Sequence, residues 1–160
     1  MGSGSRIKES VWDYPRPPGL EPDTRHVRVE FAGETIASSS GAYRVLETSH
    51  PPSFYIPAGD VNFNFLASSS KQSFCEWKGM AEYWSVNVGL QVVDNVGWSY
   101  PKPTKRYAAI KDYVSFYPSK MYSCFVGDEQ VQAQEGEFYG GWITSEIEGP
   151  FKGGPGTWGW

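Results

Sequence analysis

The 160-residue chain carries 14 Lys and Arg against 18 Asp and Glu, a net charge of −4. That mild acidity argues against nucleic acid as a partner, because its binders need a strongly basic surface. The one basic stripe, Lys102, Lys105, Arg106 and Lys111, is diluted by Asp112. No apolar run approaches the roughly 20 residues of a membrane helix, and the start has no apolar signal core. Cys75 and Cys124 can form at most one bridge and are too few for a disulfide framework or a zinc site. The expectation is one reduced, cytoplasmic domain with no metal, cofactor or membrane partner; a homo-oligomer stays open. Aromatic residues make up 16% of the chain, beside 18 glycines and 12 prolines. Rings favour strands, and the punctuation between them implies many turns.

Residues 1–5 have the composition of a tag remnant and are set aside from the fold reasoning. Residues 1–25 form a Pro-rich arm, with prolines at 15, 17, 18 and 22 that forbid a helix or a central strand. A β-rich core is expected over residues 26–134. Within it, Val27, Val29 and Phe31 alternate with Arg28 and Glu30, the pattern of a half-buried strand. Ala32-Gly-Glu-Thr35 turns the chain into a return strand, and residues 42–47 and 53–56 read as further strands separated by His50-Pro-Pro52. Val61, Phe63 and Phe65 share a face, and Ser68-Ser-Ser-Lys-Gln72 reads as a hairpin loop. Asp94-Asn95 reads as another turn. Residues 104–115 are the one helix candidate, capped by Thr104, with Ala108, Ala109, Ile110, Tyr113 and Val114 as its apolar stripe. Residues 121–126 and 129–133 flank a Gly127-Asp128 turn. Residues 135–160 are glycine-rich yet hold Phe138, Tyr139, Trp142, Ile143, Ile147, Phe151, Trp158 and Trp160. Exposed rings are costly, so this extension is expected to wrap the core or a partner chain.

Chemistry concentrates in Phe74-Cys-Glu-Trp-Lys-Gly-Met-Ala-Glu-Tyr-Trp84 and in Gly97-Trp-Ser-Tyr-Pro-Lys-Pro103. A thiol, an ammonium, two carboxylates and four rings within eleven residues read either as pocket walls or as a hydrogen-bonded aromatic core. Lys78 is a candidate anchor for an anion, since rings that exclude water strengthen a charge contact. Its bland alternative is a salt bridge to Glu76, Glu82 or Asp60. Cys75 is the candidate nucleophile beside a cation, against a plain core thiol. Asp60 either works with Glu47 or Lys78 in acid–base chemistry or accepts backbone N–H groups in a turn. Tyr55, Trp77, Tyr83, Trp98 and Tyr100 either wall a planar ligand or pack as core. His50 sits on a proline-stiffened loop, at a pocket mouth or simply in solvent.

The order and spacing of several segments resemble the family called domain of unknown function 427, also labelled nucleotidyltransferase-like. The matching pieces are Arg28-Val29 with Gly33, Glu47, Tyr55-Ile-Pro-Ala-Gly-Asp-Val61, Cys75-Glu-Trp-Lys-Gly-Met-Ala-Glu-Tyr83, Trp98-Ser-Tyr-Pro-Lys-Pro103, and Ile110 with Phe116-Tyr117. The resemblance implies a mainly β fold of the β-tent, Mss4-like type, here with one main helix. Relatives of that fold hold zinc through paired Cys-x-x-Cys knuckles, which this chain lacks. The chain also lacks a glycine-rich phosphate loop and paired aspartates, so its residues give the nucleotidyltransferase label no support. The segment from Phe138-Tyr-Gly-Gly-Trp-Ile-Thr144 onward looks like an extension found in photosynthetic lineages, cyanobacteria especially.

Together these readings point to a binding module for a small anionic or planar ligand, with Lys78 as anchor. The alternatives are a small enzyme using Cys75 or the Asp60–Lys78 pair, and an interaction module working through the aromatic extension.

Overall fold

The computed structural model describes residues 7–136, 139–157 and 159–160. Phe138 and Trp158, counted above among the extension's rings, lie outside the described residues. The strands in chain order are β1 (Glu9–Ser10), β2 (Gly19–Asp23), β3 (Val27–Phe31), β4 (Glu34–Ser39), β5 (Ala42–Leu46), β6 (Ser53–Ile56), β7 (Leu66–Cys75), β8 (Gly79–Val88), β9 (Gln91–Ser99), β10 (Val114–Phe116), β11 (Ser123–Val126), β12 (Glu129–Gln130), β13 (Gln132–Ala133), β14 (Trp142–Ile143) and β15 (Ile147–Glu148). The fold is mainly β. A seven-stranded antiparallel sheet runs β2-β5-β6-β10-β9-β8-β7, and a four-stranded one runs β12-β11-β3-β4. Two small ladders, β1 with β15 and β13 with β14, tie the chain ends to the rest.

Strand alternation distributes the core. Val27, Val29 and Phe31 are all buried, as their period of two requires. They meet Phe54, Ile56, Val86, Val96, Val114 and Phe116 of the larger sheet in one cluster. The intervening positions of that sheet face the other way. Tyr55, Ala81, Tyr83 and Trp98 join Val45, Tyr100, Tyr107, Ile110 and Tyr117 in a second, ring-dominated cluster. Gly97 permits the close approach of β9 to β10, since a Cβ there would lie 2.7 Å from the Ser115 carbonyl oxygen.

Three sequence expectations are corrected. The helix over residues 104–115 is instead a 3-10 segment, Lys105–Ile110, broken by a non-helical Tyr107 and followed by β10. Thr104 does not cap it; its hydroxyl donates to the Trp77 carbonyl at 2.6 Å, while Tyr107 is drawn away to donate to the Pro18 carbonyl. The expected loop at residues 68–72 is instead an irregular stretch of β7, the edge strand of the large sheet, which pairs with β8 at Ser68 and Gln72 and shifts register between them. The actual hairpin turn lies at residues 76–78, before Gly79. Asp94 and Asn95 sit inside β9; the turn into that strand falls at Gly89 and Leu90, and Asn95 takes a positive φ of 55° next to a register shift.

The N-terminal arm is held by charge. Pro22 lies on edge strand β2, where the missing N–H costs no ladder bond. Arg44 is fully buried, and its guanidinium donates to the Glu9 carboxylate at 3.0 and 3.1 Å and to Glu21. Asp23, also buried, binds Arg25, which reaches Glu146 at 2.9 Å. The same charges therefore clamp the arm, β2, β5 and the C-terminal segment. Within that segment Trp142 is fully buried, stacks on Phe54 at 4.9 Å and donates to the Phe116 carbonyl at 3.1 Å.

Arg44→Met leaves carboxylates facing each other without their cation and is expected to destabilise the fold by about 3 kcal/mol, read from urea unfolding. Burial alone would raise the carboxyls of Asp23 and Glu146, but hydrogen bonds outweigh it, from Arg25 to Asp23 and from Thr144 and Arg25 to Glu146, and both are held below their ordinary range. A depressed folded-state value means the stabilisation is complete above the unfolded values of about 4 and is lost as pH falls through the folded ones. The urea midpoint is expected to drop between pH 5 and pH 3, and Arg25→Gln to flatten that drop.

Candidate functional site

The ring-dominated face of the large sheet carries a cavity of about 280 Å³. Three parts of the chain build it. Val45, Glu47, His50, Pro51, Ser53 and Tyr55 come from β5, β6 and the loop between them. Ser73, Lys78, Tyr83, Trp98, Tyr100 and Tyr117 come from β7, β8, β9 and the segments beyond them. Gln134, Tyr139 and Gly140 come from the C-terminal segment.

Lys78 owes its position to the turn before Gly79. Gly79 has a φ of +109°, and a Cβ there would meet the Lys102 carbonyl oxygen at 3.2 Å, so a side chain is excluded on two grounds. The Pro-Lys-Pro segment then clamps the turn. Thr104 N–H donates to the Lys78 carbonyl at 3.0 Å, and the Thr104 hydroxyl to that of Trp77. In an unbroken strand Lys78 and Tyr83 would face opposite ways; the turn removes that constraint and brings both to one cavity. The residue is only 6% exposed, and its ammonium lies 5.9 Å from the Tyr100 ring centroid and 6.0 Å from that of Tyr107. It makes no side-chain hydrogen bond or ion pair with another described residue.

Hydroxyls dominate the remaining polar lining. Trp98 Nε1 donates to Tyr55 Oη at 3.0 Å, and Ser73 Oγ lies 2.9 Å from Tyr83 Oη. Burial pushes the phenols of Tyr55, Tyr100 and Tyr117 well above their usual range. For Tyr100, the neighbouring Tyr55 and Cys75 add to the effect, and for Tyr117 the Tyr83 hydroxyl does. All three therefore keep their protons at neutral pH and serve as O–H donors. Ser115 sits between Tyr55 and Trp98 in register and is fully buried, with no hydrogen-bond partner for its hydroxyl among the described residues.

Of the residues singled out in sequence, Tyr55, Lys78, Tyr83, Trp98 and Tyr100 line this one cavity. Trp77 does not; it is half-buried and packs against the outside of the same ring cluster. Cys75 is likewise half-buried against that cluster and does not line the cavity. Both cysteines are free, and burial pushes the Cys124 thiol up to about 12. Asp60 lies elsewhere, at a shallow depression with Thr35, Ile36 and Asn62, where its carboxylate accepts from Ser39 Oγ at 2.6 Å. The Asp60–Lys78 pair is therefore not assembled at the cavity.

Ser73, Tyr117, Gln134, Tyr139 and Gly140 were not foreseen as lining residues. Only tertiary packing delivers the last three. Gly140 lies flat on Trp98, where a Cβ would come within 2.2 Å of the indole ring. Gln134 is held at both ends, donating to the Lys152 carbonyl at 2.6 Å and accepting from the Gly141 N–H at 3.2 Å. Among the described residues no group of three or more His, Cys, Asp or Glu is arranged to hold a metal, and no helix is long and apolar enough to cross a membrane.

These pieces fall within a known family. Residues 19–127 match the model described as Domain of unknown function (DUF427), labelled NTP_transf_9, and the chain belongs to that family. No curated protein matches the chain significantly. The family span ends before Gln134, Tyr139 and Gly140, so one wall of the cavity lies outside it.

Tyr55→Phe removes the acceptor of the buried Trp98 N–H and is expected to lower stability by about 1–3 kcal/mol, read from denaturant unfolding followed by tryptophan fluorescence.

Proposed function

We propose that this domain binds a small anionic ligand, planar or not, in the ring-lined cavity, with the negative group on Lys78. One observation carries the reading: Lys78, only 6% exposed as a residue, lines the cavity with no described carboxylate in ion-pair contact. Burying such a charge is costly, and an oxyanion entering the cavity offsets that cost. The protonated phenols supply further donors, and Trp98, Tyr83 and Tyr100 supply flat walls. The volume of about 280 Å³ suits a small molecule.

The enzyme alternative has weaker support. Neither Cys75 nor Asp60 lines the cavity, so the thiol and the Asp60–Lys78 pair on which that alternative rests are not assembled there. The interaction alternative through the C-terminal rings is weakened by Trp142, which is spent on the chain's own core. A β-tent architecture is in keeping with the two antiparallel sheets that share that core.

Acetate, propionate, benzoate and sulfate are suitable probes, titrated into the whole chain and followed by backbone amide NMR shifts. Saturable shifts are expected at the residues around Lys78, Tyr83 and Trp98. Lys78→Met is expected to weaken them at least about tenfold while leaving the melting temperature unchanged or higher. No saturable shift with any probe would refute the reading.

A further inference from the structure

We infer that the cavity is dipolar and that its ligand is a small amino-carboxylate, with the carboxylate on Lys78 and the ammonium toward Glu47 and His50. This rests on the anion-binding reading and adds the other end of the ligand. Glu47 and Lys78 line the same cavity, yet no ion pair joins them. Neither side chain makes a hydrogen bond or ion pair with another described residue. Glu47 follows β5 and Lys78 precedes β8, with β6, β10 and β9 between those strands in the sheet. The two side chains thus come to the cavity from strands that are not neighbours, and no ion pair joins them.

His50 reinforces the acceptor end. Its Nδ1 lies 2.9 Å from the Thr48 carbonyl oxygen, which can only accept. In the neutral ring Nδ1 therefore carries the proton, and Nε2 is left as an acceptor. Tyr139 packs on this imidazole, with ring centroids 5.6 Å apart, and holds it at the cavity wall. Gln134 cannot compete for a ligand, because both ends of its amide are already used. Trp98 Nε1 is occupied by Tyr55. Among the described lining residues the uncommitted charges are then one cation, Lys78, and one carboxylate, Glu47. A dianion such as phosphate would meet a single ammonium and a repelling carboxylate. A ligand with separated opposite charges would complement both ends, and each charge-assisted contact adds selectivity over a ligand lacking that group.

The test compares β-alanine, 4-aminobutyrate and 6-aminohexanoate with propionate, butyrate and hexanoate, and with butylamine, by amide NMR titration of the whole chain. At least one amino-carboxylate is expected to bind about tenfold tighter than its chain-matched carboxylate. Glu47→Gln is expected to erase that advantage while carboxylate binding is kept or strengthened by loss of the repelling charge, and Lys78→Met to weaken both series. If carboxylates and amino-carboxylates bind alike to the wild-type chain, the dipolar assignment is overturned and the anion site stands. If neither series gives a saturable shift, or butylamine alone does, both fall. The wild-type comparison is decisive even should Glu47→Gln misfold.

Discussion

Everything in this molecule hangs on the two-residue period of its large sheet. Along β6, Phe54 and Ile56 face the cluster shared with the four-stranded sheet, while Tyr55 between them faces the tyrosine-rich one. In β8, Tyr83 and Val86 divide the same way, whereas in β9 Val96 and Trp98, two residues apart, reach different clusters because the strand is irregular at Asn95. A single sheet thereby builds two environments that differ in chemistry. One is apolar, mixing branched side chains with Phe31, Phe54, Phe116 and Trp142, and is closed by the four-stranded sheet. The other is aromatic and hydroxylated, and it is only partly filled. A one-residue slip of any of these strands would exchange their faces and place hydroxyls in the apolar core.

The cavity survives as a space because its rings are braced from behind and not from within. Tyr55 holds Trp98, Ser73 holds Tyr83, and the Pro-Lys-Pro segment holds the turn that carries Lys78. The C-terminal segment supplies the last wall. It can do so because Trp142 is anchored in the core shared by the two large sheets and Glu146 is clamped by Arg25. Core packing and a buried charge network, both remote from the cavity, therefore set its shape.

Much of this was readable before any coordinates. Alternation at Val27, Val29 and Phe31 marks β3, and the chemistry-rich stretches around Lys78 and Trp98 do meet at one cavity. The misreadings share a cause. Serine-rich residues 68–72 resemble a loop, but an edge strand needs no apolar outer face. Residues 104–115 have a helical apolar spacing, but Tyr107 and Thr104 are claimed by partners distant in sequence, Pro18 and Trp77. Cys75 and Trp77 belong to the same dense motif as Lys78, yet the turn at residues 76–78 sends them to the outside of the ring cluster.

Local sequence thus determined the strand-rich class, the identity of the buried faces and the crowding of reactive side chains near Gly79, because these follow from side-chain period and backbone sterics within a few residues. It left undecided which face each motif residue takes after a turn, that Asp60 lies at a separate depression, and that Gln134, Tyr139 and Gly140 complete the cavity. Those outcomes depend on contacts between segments dozens of residues apart. Only the folded sheet order, with β5 and β8 separated by β6, β10 and β9, places Glu47 and Lys78 around a common space with no ion pair between them.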